Sequence, residues 1–497
     1  MKVLNNILFL ERLNLLSLLI IVPVYKTLNY KVYFYHYKGK YDFLINYLNL
    51  VEVDFQEFNN VDIGVFFHGS SSIANKYYDN FISSNEIELY SEVLKINDTN
   101  GKKKIVVNIK DNIKRLIGDS NKLLYCVDLL NKKSQGRIKV FLYKKPLLSY
   151  VIKEVSPDCP ISILPSLLWS KWFLLIASKI KSSLLIVFKS KYKKEQKNLN
   201  NKNQVLYFPH KGVAYSNVFI KDYCYDYRSS LHPLSQKKIL HIEYDYKDKK
   251  SIDSVIKVYK KNKSRFFIVN DSIGVKTFKL MFNSIKEKKM LFFLRFGKES
   301  FNRFIIYLVT TVEFNQYYSQ MAPINARMAI IGYDILFPKS LALVLHRKKI
   351  LTISTQERFP IAFSGNYNVC TDIYLTWGRF VEGRINSDRG FNYVGEFKVV
   401  GPPRVDLIKS LGNSEKYNQK TGLYKKIVAV FDGGDGYSVH ENRKALINSW
   451  SAVKLFLNDV LILAERNTDV FFILRTRDPS WMKDKYFSKV IRKIKEF

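Results

Sequence analysis

The stretch that most restricts this chain is Ile427-Val428-Ala429-Val430-Phe431-Asp432-Gly433-Gly434-Asp435-Gly436. Its apolar run reads as a fully buried strand. Three glycines then break it. A helical pattern from Glu441 to Leu463 follows, with Ala445, Leu446, Trp450, Val453, Leu455, Phe456 and Val460 as its apolar positions. Val470-Phe471-Phe472-Ile473-Leu474 is a second buried strand, ending at Arg475-Thr476-Arg477-Asp478-Pro479. Strand, glycine loop, helix, strand is a βαβ unit, which binds ligands at the carboxyl ends of its strands. Gly433, Gly434 and Gly436 let backbone N–H groups approach a phosphate, and Arg475 and Arg477 suit a diphosphate clamp. The competing reading is an ordinary turn with solvated arginines, because this loop is not the dinucleotide fingerprint.

The same texture runs through the whole chain. Before residue 150, strands are expected at Leu19–Val22, Lys31–Tyr35, Asp62–Phe67, Lys104–Val107 and Ile138–Leu142, with a helix over Tyr77–Leu94. His68 is expected in a loop at a strand end. Further strands are expected at Val205–Phe208, Ile239–Asp245, Phe266–Val269, Ala329–Asp334, Ile350–Ser354, Asp372–Thr376 and Phe397–Val400. Helices are expected over Ser272–Phe296, Phe301–Tyr318 and Leu341–Arg347, and Glu382–Asn392 reads as a mobile loop. Strands alternating with helices define an α/β protein. A chain of 497 residues has room for two or three domains.

Composition narrows the partners. The net charge is +36, with 80 Lys and Arg against 44 Asp and Glu. Joint over-use of Lys, Asn, Ile, Tyr and Phe fits AT-rich coding and carries most of the weight. Contact with anionic lipid is the next explanation. No known nucleic-acid-binding module is present, so no specific nucleic-acid partner is expected. Cys126, Cys159, Cys224 and Cys370 are far apart, which indicates neither a zinc site nor a disulfide framework. Leu13–Val24 is too short to span a bilayer and reads as a buried helix leading into a strand. Ile161–Phe188 combines Trp169 and Trp172 with Lys171, Lys179 and Lys181, and the basic run Lys189–Lys197 follows. It reads either as a membrane-interface anchor or as packed helices with snorkelling lysines.

In the second half, Asp334–Pro338, Thr355-Gln356-Glu357-Arg358-Phe359, Trp377-Gly378 and Val400-Gly401-Pro402-Pro403-Arg404-Val405-Asp406 form a set. With Phe208–Gly212 and His241–Asp245, this set resembles transferases of bacterial surface-polysaccharide (O-antigen and capsule) gene clusters. These are GT-B-like and include the polysaccharide biosynthesis PFTS-motif group. They are distantly similar to CDP-glycerol glycerophosphotransferases. The resemblance covers roughly residues 200–480 and implies two Rossmann-like domains with an active site in the cleft. Residues 1–200 would begin the acceptor side, with the candidate membrane segment at 161–188. Residues 201–410 would complete that side and supply the interdomain segment, and residues 411–497 would hold the donor nucleotide. Only two clear strands follow Lys426, and the family's naming segment is absent. The donor domain is therefore expected to be incomplete, as in a truncated reading frame or one completed by another chain.

The resemblance implies an inverting glycosyltransferase that moves a sugar from a nucleotide-sugar to a surface-polysaccharide or lipid-linked acceptor. Glu357 stands where the glycerophosphotransferases place a catalytic His, and a carboxylate can take the same proton. His210 and Asp334 are the reserve bases. Gly433, Gly434, Gly436, Arg475, Arg477 and Arg404 would hold the donor diphosphate. No Asp-x-Asp stands between two strands, so metal independence is expected, with no cofactor beyond the nucleotide-sugar co-substrate. The scattered cysteines fit a reducing compartment, so a cytoplasmic location is expected, either free or, through Ile161–Phe188, peripheral on the cytoplasmic face of the inner membrane. The alternatives are a CDP-polyol phosphotransferase and a non-enzymatic basic membrane-surface protein.

Overall fold

The computed structural model describes residues 6–10, 13, 17–34, 42–52, 63–117, 138–142, 161–163, 205–209, 239–244, 265–269, 297–332, 337–356, 368–387, 391–401, 426–432, 450–476 and 487–496, with scattered positions at 126–150 and 253–260. They form two compact units, Met1–Val51 with Asp62–Arg404 and Glu52–Val61 with Val405–Phe497.

The first unit holds two sheets. Strands β1 (Ile7–Leu10), β2 (Lys31–Phe34), β3 (Val51–Glu52), β4 (Ile138–Leu142) and β5 (Ile161–Ile163) lie in the order β3-β2-β1-β4-β5. Strands β6 (Val205–Phe208), β7 (Ile239–Tyr244), β8 (Arg265–Val269), β9 (Met328–Ile331), β10 (Leu351–Thr355), β11 (Cys370–Thr376) and β12 (Tyr393–Val399) lie in the order β12-β11-β10-β9-β6-β7-β8. Every pairing in this seven-stranded sheet is parallel. Counted from its own first strand, the first sheet runs 3-2-1-4-5 and the second 3-2-1-4-5-6-7, the doubly wound Rossmann order. The chain is thus α/β with Rossmann-like sheets.

Helices fill the crossovers that parallel strands require. A π-helical turn at Ser17–Ile21 continues into α1 (Val22–Thr27), and α2 is Asp42–Tyr47. Next come α3 (Ile63–Phe81), α4 (Ser84–Leu94) and α5 (Thr99–Ile117). The second sheet carries α6 (Gly297–Met321), α7 (Lys339–Arg347) and α8 (Arg379–Ser387).

Several sequence expectations are corrected. Leu19–Val22 is helical, and the strand that opens the sheet is Ile7–Leu10 instead. Pro23 in the first turn suits a helix start. Asp62–Phe67 falls on α3, so His68 is on a helix and not at a strand end. Lys104–Val107 lies within α5. Short apolar runs do not distinguish a strand from a buried helix. Tyr77–Leu94 is helical but broken at Ile82 and Ser83, where Ser83 caps α4. Its Oγ accepts from the Glu86 N–H at 3.3 Å, and Glu86 Oε2 accepts from the Ser83 N–H at 2.8 Å. Much of Glu382–Asn392 belongs to α8, held by buried Val381 and Ile385 one turn apart. Of Ile161–Phe188, only the strand Ile161–Ile163 is described; Trp169 and Trp172 lie outside the described residues, as does 272–296.

Helix α5 docks on the second sheet and its helices through a polar face. Lys104, Asn108 and Asn112 recur every four residues, so they share one face, and all three are fully buried. Lys104 Nζ donates to Asp372 Oδ1 of β11 at 2.6 Å. Asn108 Oδ1 accepts from Ser340 Oγ of α7 at 3.2 Å, and Asn112 Nδ2 donates to Thr310 Oγ1 of α6 at 2.8 Å. Burial pushes the Asp372 carboxyl up, but Lys104 and the Thr352 donors outweigh it and hold it below the usual carboxylate range.

The second unit pairs β13 (Lys426–Asp432) with β14 (Val470–Thr476) in parallel. Helices α9 (Trp450–Arg466) and α10 (Ser488–Glu496) share a core of Leu457, Leu461, Phe487, Val490 and Ile491. The expected full burial of β13 is corrected: Ile427 is 51% exposed and Val428 39%.

Replacing Lys104 leaves the Asp372 carboxylate without its counter-charge, so Lys104→Met is expected to cost about 3 kcal/mol in urea unfolding of the full chain. A loss under about 0.5 kcal/mol, the size of an ordinary surface change, would show that the pair is not structural.

Candidate functional site

A doubly wound sheet offers its ligand site at the carboxyl ends of its strands, where the strand order reverses. In the seven-stranded sheet that place is between β6 and β9. The chain leaves β6 towards β7 on one side and returns to β9 on the other. Phe208 and Ile331 are register partners at these ends, and Ser354 pairs with Ile331 on β10. Just past them, the Gly332 N–H donates to the Phe208 carbonyl at 2.9 Å. A Cβ on Gly332 would lie 2.9 Å from the Tyr207 hydroxyl and 3.2 Å from the Phe208 carbonyl oxygen. The close approach of these two strand ends therefore favours glycine there, since a larger residue would push on the Tyr207 hydroxyl and the Phe208 carbonyl.

Alternation along β6 and β7 sends Tyr207, His241 and Glu243 to one face. Tyr207 meets His241 edge-on at 5.6 Å between centroids, and His241 lies 5.0 Å from the Tyr259 ring. The Tyr259 hydroxyl donates to the Glu243 carboxylate, and all four side chains are buried. Burial lowers the His241 pKa to about 4, and its Nδ1 has no hydrogen-bond partner among the described residues. This imidazole is neutral at pH 7.

The neighbouring edge of β10 and β11 is also polar. The Gln356 N–H donates to the Leu375 carbonyl at 2.9 Å, and Gln356 Oε1 accepts from the Trp377 N–H at 2.8 Å. Gln356 thus fixes the ends of both strands. Ser354 Oγ, Thr355 Oγ1, Thr376 Oγ1 and Trp377 Nε1 are buried without a partner among the described residues. By register, Ser354 shares a face with Tyr374 and so with Thr376, while Thr355 is on the other. Buried polar atoms left unpaired are uncommon, and such groups mark a place where a ligand or water completes the bonding.

The expected site residues relate to this edge as follows. His210, Asp334 and Glu357 come two, three and two residues after the last residues of β6, β9 and β10, which are adjacent in the sheet. All three lie outside the described residues, as do Arg404, Gly433, Gly434, Gly436 and Arg477. Arg475 lies in β14, in register with Phe431 of β13. Asp432 and Thr476 are partners at the same end, so Gly433 and Arg477 directly follow paired residues. The buried cluster of His241, Glu243 and Tyr259 joins residues that the sequence does not bring together as a candidate site. The alternation His-Ile-Glu was its only sequence signal.

A second polar cluster occupies the opposite edge. A cavity of about 410 Å³ is lined by Lys95, Asp98, His346, Arg347, Lys349 and Asp372, among others. Lys104 Nζ lies 3.3 Å from His346 Nδ1, and His346 Nε2 lies 2.8 Å from Asp98 Oδ2. These groups satisfy one another, so they read as a clamp between α5 and the sheet.

No protein family profile matches the chain, and no curated protein matches it. Among solved structures, an S. aureus MnaA–UDP co-structure is similar with a TM-score of 0.29 and 10% identity. That match covers 59% of this chain and 65% of the other. An overlap this loose transfers neither residues nor ligand.

An unfolded imidazole takes a proton below about pH 6.5, whereas His241 in the fold takes one only near pH 4. The unfolded state therefore binds more protons in that window, and stability falls as pH drops through it, by on the order of 3 kcal/mol in total. Urea unfolding at several pH values should show a shallower acid loss in His241→Leu than in the unchanged protein. Equal slopes would mean that His241 titrates normally.

Proposed function

We propose that the chain is a glycosyltransferase that uses a nucleotide-sugar donor. The observation that supports it best is the arrangement of the seven-stranded sheet. Three acid–base candidates, His210, Asp334 and Glu357, follow three adjacent parallel strands at the point where the strand order reverses. Sugar transfer to a hydroxyl needs a base on that hydroxyl and positive or N–H groups on the departing diphosphate. Glu357 is assigned the base, with His210 and Asp334 as reserves. Gln356, beside Glu357 in the chain, bonds across to β11, which gives the base a rigid neighbour.

The diphosphate is assigned to Gly433, Gly434, Gly436, Arg475 and Arg477, with Arg404 assisting. The parallel pairing of β13 and β14 supports this, because the glycine run and the arginines start from the same strand edge. Attack on the anomeric carbon by the deprotonated acceptor, from the side opposite the leaving nucleotide, inverts the configuration. The reaction as proposed uses no metal. A surface-polysaccharide or lipid-linked acceptor rests on the resemblance alone.

The test is a donor screen with purified full-length protein, comparing UDP- and GDP-sugars with CDP-glycerol in the presence of EDTA and of Mg²⁺ or Mn²⁺. Turnover of a nucleotide-sugar that EDTA leaves intact is expected. Glu357→Gln should lower kcat about 10²–10⁴-fold. Arg475→Ala with Arg477→Ala should act mainly on the donor KM. Preference for CDP-glycerol would replace sugar transfer with polyol-phosphate transfer. No turnover of any donor overturns the proposal.

A further inference from the structure

The outer faces of α1 and α2 carry more apolar surface than a solvated helix needs. On the inside, Leu18, Ile21 and Val22 join a core with Leu8, Leu10, Val32 and Phe34. Leu44, Ile45 and Leu48 of the α2 region pack against the same core, so the two helices cover one side of the first sheet together. Outside, Ile20 of the π-helical turn, Val24 of α1 and Leu28 at its C-cap recur every four residues along this continuous helical segment, with Leu19 beside Ile20. All four are more than half exposed. Phe43 and Tyr47, also four apart, are about three-quarters exposed and stack on each other at 6.1 Å. Single exposed apolar residues are ordinary, but stripes on neighbouring helices mark a contact surface.

The surroundings of these stripes indicate what covers them. Tyr25 and Tyr30 meet edge to face at 5.1 Å, and Lys139 Nζ sits 5.5 Å and 5.9 Å from their ring centres. Lys26 Nζ of α1 donates to the Asn49 carbonyl just after α2 at 3.4 Å. Exposed aliphatics bordered by tyrosine and lysine are the composition of a helix lying in a lipid–water interface. The first fifty residues hold six Lys and Arg against two Asp and Glu. A second copy of the chain would bring the same face and the same +36 to the contact, which opposes self-association. Anionic headgroups attract this charge.

We propose that the outer face of α1 and α2 binds the surface of an anionic lipid bilayer, with Leu19, Ile20, Val24, Leu28, Phe43 and Tyr47 entering the headgroup boundary. This is surface attachment; no helix among the described residues is long and apolar enough to cross a membrane. The contact stands apart from the transferase reading and survives its failure.

Sedimentation of full-length protein with vesicles tests it. Binding to vesicles containing phosphatidylglycerol is expected, weakened by salt, with little binding to pure phosphatidylcholine. Ile20→Ser with Val24→Ser and Leu28→Ser, and separately Phe43→Ser with Tyr47→Ser, should each lower partitioning about tenfold or more with unchanged circular dichroism. Val24→Trp should raise partitioning, an outcome that misfolding does not mimic. The proposal is overturned if these variants partition like the unchanged chain. It is also overturned if only Trp169→Glu with Trp172→Glu abolishes binding. A dimer that the serine variants convert to monomer, with vesicle binding intact, overturns it as well.

Discussion

One buried polar seam fixes helix α5 on the second sheet and its helices. Helix α5 belongs by chain order to the crossover between β3 and β4 of the first sheet, yet its polar stripe docks on elements of the second. Burying an ammonium and two amides is unfavourable unless each finds a partner with good geometry. Lys104 and Asn112 find theirs on β11 and α6, and Asn108 finds one through Oδ1 on α7, while its Nδ2 has none among the described residues; these partners are some 200 or more residues away in the chain. The Arg115 guanidinium adds a bond to Glu313 of α6 at 2.7 Å, and Arg303 pairs with Glu86 of α4 at 3.0 Å. An apolar seam tolerates sliding. This one does not, because a shift by one turn leaves Lys104 without Asp372.

That docking fixes the amino edge of the seven-stranded sheet and leaves its carboxyl edge for chemistry. At the amino edge, Asp372 is held by Lys104 and by Thr352, whose N–H and Oγ1 lie 2.9 Å and 2.7 Å from Oδ2. At the carboxyl edge, Ser354, Thr355, Thr376 and Trp377 keep polar atoms that are unpaired among the described residues. The same parallel sheet thus has a charged clamp at its amino end, although Asn368 Oδ1 and Asn392 Nδ2 are unpaired there among the described residues, and a run of uncharged, unpaired groups at its carboxyl end. That asymmetry follows from parallel pairing, which places every strand's carboxyl end on one side.

The second-half strands were legible in the residues. Ile239–Tyr244, Leu351–Thr355, Cys370–Thr376 and Val470–Thr476 each lie within a residue or two of an apolar run bounded by turn residues. Glu357, with His210 and Asp334 in reserve, is a site candidate through the resemblance to the polysaccharide transferases, and the three follow the adjacent strands β10, β6 and β9. The region 63–117 was not legible in this way. Ile63–Phe67 and Ile105–Val107 look like strands in isolation, and only their place in α3 and α5 shows otherwise. His241 and Glu243 escaped notice as a pair because their burial depends on Tyr207 and Tyr259 closing over them.

From its residues alone the chain is α/β, strongly basic, and supplied with glycine and arginine at the end of one βαβ unit. Local period, apolar runs and charge are properties of neighbouring residues, so reading them requires no knowledge of the rest of the fold. Tertiary structure alone decided that both sheets take the doubly wound order, that Lys104, Asn108 and Asn112 point inward, and that Ile20, Val24 and Leu28 point outward. Those outcomes depend on which distant groups arrive opposite a given side chain. A lysine is buried only where a carboxylate meets it, and an isoleucine stays exposed only where nothing in the chain covers it.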